Sequence, residues 1–310
     1  MIDSVDQKLI DQLRINCRTS LQDLANLTGS SANDVRKRIE RMVSAGVIEK
    51  FIVILSPQMS NEDTVIAILN FINEPNEKRL LRFLGENPSV YRTSRLLDGR
   101  YIVYGIYFEQ EELSALTEHL RLLPDIRNVE LNFRFLHYWG GKIDLTSSHR
   151  EILRCLLDDP RMSVSKIARE TGLESDSVKR IIEQMKDSEA VQFTINTSDD
   201  LNEKSIEVLA KVQWNVGKTS KEEVLSWLQS EFSSLRLGEC VSATEPTLFF
   251  HFSVNHVHEV ELVAKKTKEF GLVTKIEPMI LFPATYFQDP RQRRATALLQ
   301  ETGFSSMNEC

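Results

Sequence analysis

The feature that most constrains this chain is that it repeats itself. When the 310-residue sequence is shifted by 143 positions, the first fifty residues meet a second copy. Arg18 falls on Arg161, Ser20 on Ser163, Ala25 on Ala168, Thr28 on Thr171 and Gly29 on Gly172. The register continues through Val35 and Val178, Ile39 and Ile182, Glu40 and Glu183, and Met42 and Met185, with Ile181 in the place of Arg38. An ungapped match that keeps a glycine and the apolar positions in phase marks a duplication, so one fold must serve both halves.

The repeated segment has helical periodicity. Val5, Leu9, Ile10 and Leu13 fall at helical spacing behind Asp3 or Ser4 as a cap. Ser20 with Asp23 reads as a capping box opening a short second helix with Leu21, Leu24, Ala25 and Leu27 inward. Gly29 suits the left-handed backbone of a tight interhelical turn. Ser30 or Ser31 caps a third helix whose apolar stripe is Val35, Ile39, Met42 and Val43. Gly46, Val47, Ile48 and Phe51 then begin a strand. Three helices with a short turn between the last two form a helix-turn-helix, whose third helix can enter a DNA major groove.

The outer positions of that helix fit such a role. Around Ser30 and Ser31 and along the helix stand Asn33, Arg36, Lys37, Arg38 and Arg41. Asn33 and Arg36, near the start, can pair with base edges. Lys37, Arg38 and Arg41 suit phosphates, which would make affinity salt-dependent. The second copy offers Ser177, Lys179 and Arg180, but Glu174, Asp176, Glu183 and Asp187 share the stretch. Acids at a helix start oppose phosphate approach. Glu189 stands where the first copy closes with Gly46.

Each copy is followed by a different pattern. Val65, Ala67, Leu69 and Phe71 alternate as a strand, and Leu80, Leu81, Phe83 and Leu84 lie on a helix after Pro75. Val90 to Leu96, a turn at Asp98-Gly99, and Tyr101 to Tyr107 make a hairpin. A helix through Leu113, Leu116, Leu120 and Leu123 and a strand from Val129 to Tyr138 complete a βαββαβ order. Residues 205–282 repeat it. The expected class is α+β, with winged helix-turn-helix domains alternating with ferredoxin-like sheets in tandem duplication. The expected domains are 1–56, 62–140, 144–196 and 205–282. A tail at 283–310 holds Arg291, Arg293 and Arg294 and ends a helix at Gly303. That tail is expected to be loosely ordered, or to touch a neighbouring subunit or a phosphate backbone.

Composition narrows the function. A net charge of −7 requires any DNA-docking charge to be local. No apolar run reaches membrane-spanning length, and the first residues lack a secretory pattern, so a cytoplasmic protein without membrane contact is expected. The four cysteines are scattered and form no metal or disulfide pattern. No phosphate-binding loop, dinucleotide turn, H-E-x-x-H or nucleophile elbow occurs, so neither cofactor nor metal nor catalytic residue is expected.

The opening Ile2-Asp3-x-x-Asp6-x-x-Leu9-Ile10-x-x-Leu13-x-x-Asn16-x-Arg18-x-Ser20 resembles that of the Lrp/AsnC (feast/famine) regulators. So do Leu24-Ala25-x-x-x-Gly29-x-Ser31-x-x-x-Val35-x-x-Arg38-Ile39 and Gly46-Val47-Ile48. The resemblance implies a transcription regulator that binds double-stranded DNA, self-associates through its βαββαβ domains into a dimer or larger oligomer, and answers a metabolite such as an amino acid. With one such unit usual per chain, this one resembles a covalently joined pair. The implied effector residues are Arg95, Asp98, Gly99, Arg100 and Tyr101 at the hairpin. Members usually carry Gly-Asp-aromatic-Asp there, whereas this chain has Gly99-Arg100-Tyr101-Ile102 and, in the second unit, Glu245-Pro246-Thr247-Leu248. Arg100 would suit an anion rather than an amino group. Two alternatives stand beside this reading. One is an adaptor without DNA affinity. The other is the sirohaem decarboxylase branch of the architecture, which would use residues such as Arg92, Arg95, Arg100, His251, His256 and His258; the local sequence around them does not resemble that branch.

Overall fold

A computed structural model describes residues 2–133, 135, 140–198, 205–233, 235, 238–242 and 245–300. The first half runs α1 (Ser4–Ile15), α2 (Leu21–Thr28), α3 (Ala32–Ser44), β1 (Ile48–Leu55), α4 (Pro57–Ser60), β2 (Asp63–Phe71), α5 (Glu77–Gly85), β3 (Val90–Arg95), β4 (Tyr101–Tyr107), α6 (Gln110–Arg121) and β5 (Ile126–Phe133). The second runs α7 (Ser147–Asp158), α8 (Val164–Thr171), α9 (Ser175–Asp187), β6 (Val191–Thr197), β7 (Ile206–Trp214), α10 (Lys221–Glu231), β8 (Gly238–Val241), β9 (Thr247–Val254), α11 (Val257–Glu269), β10 (Val273–Leu281), β11 (Thr285–Tyr286) and α12 (Pro290–Gln300). The last strand expected in the first sheet was to continue to Tyr138, and its end lies outside the described residues, as does Gly303. β8 is the second strand of the βαββαβ order expected over 205–282; at four residues it carries little alternation by which to place it in sequence.

The elements form two compact units. One gathers residues 2–62, 140–198 and 291–300, so both helix-turn-helix copies share it. Local chemistry starts each helix: Asp3, Ser20 and Ser31 cap α1, α2 and α3, and Gly29 and Gly172 adopt the left-handed backbone after α2 and α8. At the turn after the third helix, Gly46 has φ +73° and Glu189 has φ +56°. The second copy thus keeps the left-handed turn without glycine, at a cost of roughly 1–2 kcal/mol. The copies are joined by antiparallel pairing of β1 with β6, Val53 opposite Phe193 and Phe51 opposite Ile195. Arg18 donates to the carbonyls of Pro160 (2.5 Å) and Met162 (3.0 Å) and lies over the Phe193 ring. Arg161, its repeat partner, lies over Phe51. Leu9, Leu13, Val35 and Met42 consequently belong to one core with Ile152, Leu156, Val178 and Met185.

The tail contributes to that core, which corrects the expectation of loose order or a contact elsewhere. Ala295 and Leu299 of α12 are buried in it. Arg291 forms a two-pronged pair with the buried Glu62, Arg294 donates to the Ser60 carbonyl, and Arg150 and Arg154 of α7 donate to the carbonyls of Leu298 and Leu299. Those last carbonyls of a helix have no intrahelical partner, so the two arginines complete its end. Leu299→Ala is expected to lower unfolding free energy by about 2 kcal/mol, the low end for a buried leucine because it sits in the last turn. Urea titration checks this; an unchanged midpoint would mean that α12 is not part of the folding unit.

The other unit holds both sheet domains. Strand orders β3-β4-β2-β5 and β10-β7-β9-β8 are the two ferredoxin-like sheets, with β11 added to the outer edge of β3. The alternation expected of β2 understates its burial. Val65, Ala67 and Leu69 face α5 and α6, while Ile66 and Ile68 are buried on the opposite face. That second face is covered by the other domain: Ile66, Ile68, Ile102, Tyr104 and Phe135 share a cluster with Leu209, Phe249, Met279 and Leu281. A strand buried on both faces loses its polar alternation. Reciprocal bridges, Leu96 to Leu281 and Phe135 to Ser242, link the domains.

Candidate nucleic-acid interface

Helix α3 is oriented by three residues, Val35, Ile39 and Met42, all buried. At 100° per residue this places Asn33 and Lys37 near the opposite face, Arg36 on one flank and Arg38 and Arg41 on the other. Asn33, Arg36 and Lys37 are exposed, and among the described residues neither Arg36 nor Lys37 joins an ion pair. Ser31 is the cap: its Oγ accepts from the Asp34 N–H at 3.1 Å and donates to the Asp34 carboxylate at 2.6 Å. That hydroxyl is the main reason the Asp34 carboxyl titrates below its usual range. Ser30 lies in the turn, its N–H on the Ala25 carbonyl. Val43 and Leu27, both expected inward, are 42% and 50% exposed. Both sit at the border of their stripe, where helix rotation decides burial.

The other flank of α3 is already occupied. Arg38 Nη1 lies 2.7 Å from Asp3 and 2.8 Å from Asp6, and Arg41 Nη2 lies 2.5 Å from the second oxygen of Asp6. The Asp6 side chain is wholly buried, while that of Asp3 is 51% exposed. Asp3 also accepts from the N–H groups of Val5 and Asp6 as the α1 cap. The Asp6 amide first, and Arg38 next, hold the Asp3 carboxyl down at about 2. The sequence pattern assigns Arg38 and Arg41 to phosphates; in the folded protein their charges are engaged by the cap and first turn of α1. A repeat comparison held the clue. Where Arg38 becomes Ile181, Asp6 becomes His149 and Asp3 becomes Thr146.

Helix α9 is turned the same way by Val178, Ile182 and Met185, with Ile181 also buried. Lys179 and Arg180 are exposed and Ser177 is half-buried. Its N-cap, Glu174, makes no side-chain hydrogen bond, and Asp176 follows in the first turn. From Ser175 to Asp187 three cations (Lys179, Arg180, Lys186) balance three acids (Asp176, Glu183, Asp187), whereas Ala32–Ser44 has four cations against two acids.

The hairpin residues expected at an effector site are paired or packed with their neighbours. Asp98 pairs with Arg100 at 2.6 Å, and Arg100 also reaches Glu277 at 2.8 Å. Arg100 therefore lies between two carboxylates. Arg95 is paired with Glu74, Gly99 makes the turn at φ +86°, and Tyr101 packs in the core edge-on to Phe71. Arg92 lies over the Tyr104 and Tyr286 rings. His251 pairs with Glu207, and His256 and His258 stack at the exposed start of α11. Among the described residues no helix is long and apolar enough to cross a membrane, and no cluster of metal-binding side chains occurs.

Comparison with known proteins places these features. The AsnC-type helix-turn-helix domain matches residues 2–43, and a winged helix-turn-helix DNA-binding model matches 145–192. The chain is 28% identical over 130 residues to the HTH-type transcriptional regulator FL11 of Pyrococcus furiosus, covering 42% of this chain and 85% of that protein. It is 31% identical over 98 residues to the HTH-type transcriptional regulator Ptr1 of Methanocaldococcus jannaschii, covering 30% of this chain and 66% of that one. A match to ATP synthase subunit delta of Campylobacter hominis, 30% identical over 135 residues, covers 39% of this chain and 77% of that protein. Its name disagrees with the others, and the two helix-turn-helix models together with the fold favour the regulators. Among solved structures, the siroheme decarboxylase NirDL has the same fold over 95% of this chain and 98% of its own, with a TM-score of 0.59 at 14% identity.

These similarities support a DNA-binding transcription regulator with two helix-turn-helix domains on one polypeptide. The first helix-turn-helix is of the AsnC type, the chain is similar to HTH-type transcriptional regulators, and a helix-turn-helix occurs twice in it.

Proposed function

We propose that this chain is a sequence-specific DNA-binding regulator in which α3 enters the major groove, Asn33 and Arg36 read base edges, and Lys37 contacts phosphate. The observation that carries the reading is the exposed, uncommitted Asn33–Arg36–Lys37 surface on a helix whose opposite side is locked by Val35, Ile39 and Met42. Helix α9 presents Ser177, Lys179 and Arg180 beside acids of equal number, so it serves as the weaker module. Pairing of β1 with β6 couples the two modules within one unit, and the expected DNA site is asymmetric rather than palindromic.

The sheet domains act in this reading as a scaffold rather than an amino-acid sensor. Their facing surfaces already cover each other inside one chain, so self-association through that face is not required to bury them. Fluorescence anisotropy with duplex DNA from upstream of its own coding sequence tests the function. Tight binding that beats a scrambled duplex and weakens steeply with salt is expected, by about 0.9 in log affinity per log salt for each phosphate neutralised. No binding at low salt would overturn the reading.

A further inference from the structure

Two carboxylates of α1 hold the same arginine of α3, and they differ in burial. Asp6 is fully enclosed and bonded to both Arg38 and Arg41, so it cannot leave without stranding a buried charge. Asp3 is half-exposed, and its link to Arg38 is a surface ion pair. Such pairs are worth little, because water and salt compete for both ends. Arg38 itself keeps 27% of its side chain exposed, on the flank of α3. A planar guanidinium offers several donors and accepts phosphate in the same geometry as carboxylate. The second module lacks every part of this arrangement: Thr146, His149 and Ile181 replace the three residues, on the module whose third helix carries no excess positive charge. The acid pair thus accompanies the basic helix.

We propose that Asp3 is a phosphate surrogate: it holds Arg38 in the free protein and yields it to a DNA phosphate on docking, while Asp6 keeps the guanidinium aimed. This rests on the DNA-binding reading above. Asp3 acts here through Arg38 as a positioning residue and touches no DNA. In the free state the exchange site is filled, which sets a threshold against weak, unspecific anions.

The test is Asp3→Asn in the full-length chain, measured by anisotropy across a salt series. Asparagine caps a helix as well as aspartate does, so α1 remains closed and only the charge is removed. Affinity is expected to rise about two- to fivefold, the range of a surface ion pair. The salt slope is expected to stay the same, because the same phosphate is engaged at the end. In an Arg38→Gln background the gain from Asp3→Asn is expected to vanish. Unchanged or weaker affinity of the single variant overturns the proposal, and so does a steeper slope, which would mean that Asp3 retained Arg38 in the wild-type complex. An equal gain with and without Arg38 overturns it as well, by showing a general charge effect. The single-variant outcomes decide the matter even where Arg38→Gln does not fold. Wild-type protein that binds no DNA at low salt overturns the DNA-binding reading itself, a result distinct from each of these.

Discussion

Replacing Arg36 and Lys37 together with alanine is expected to weaken binding to specific duplex DNA by about tenfold to a few hundredfold. A base-edge arginine contributes roughly 1–3 kcal/mol of discrimination and a phosphate contact adds to it. If Lys37 alone of the two neutralises a phosphate, the slope of log affinity against log salt falls by about 0.9. Fluorescence anisotropy at several salt concentrations separates the two parts. Lys37→Ala should account for the slope, and Arg36→Ala should reduce preference for the specific over the scrambled duplex. Neither side chain is buried or paired, so the thermal midpoint should hardly move. Unchanged affinity and slope in the double variant would place the docking surface elsewhere on the chain.

The largest stability effect is expected from Asp6→Asn. The carboxylate is enclosed and takes charge-assisted bonds from Arg38 and Arg41. Breaking a buried pair by removing one partner costs about 3–5 kcal/mol when both are enclosed. Here the guanidiniums retain 27% and 55% exposure and can rehydrate, so roughly 2–4 kcal/mol is expected. Denaturant unfolding measures it. The loss should be smaller when Arg41 is already glutamine, because the partners belong to one network. A variant as stable as the parent would show that α1 and α3 are held by their apolar faces alone. The second module supplies a natural comparison, since Ile181 is buried at the position of Arg38 and that module folds around it without the ion pairs.

These expectations rest on different amounts of sequence information. The cap at Ser20, the caps at Asp3 and Ser31 to within one residue, the left-handed turn at Gly29 and the stripe of Val35, Ile39 and Met42 were legible because each depends on residues within one or two turns. The exposure of Asn33, Arg36 and Lys37 follows from that stripe by helical periodicity. Leu27 and Val43 escaped the same reasoning because border positions of a stripe are settled by the neighbouring element. For Arg38 and Arg41 the difficulty was distance: Asp3 and Asp6 lie 35 and 32 residues from Arg38. A basic side chain on a helix flank reads the same in sequence whether it meets phosphate or a buried acid. At the hairpin, Asp98 and Arg100 are local, but Glu277, which completes the pairing, comes from the second domain.

By itself, then, the sequence determined that there are two copies, the principal helices and strands of each, and which face of α3 turns outward. All of these follow from short-range periodicity and capping. Only the tertiary structure decided that β1 pairs with β6, that the two sheets bury each other within one chain, that α12 joins the helical core, and which cations of α3 are already spoken for. Those outcomes depend on contacts between residues far apart in the chain, and the identity of the opposing group, not the residue itself, sets the energy of each.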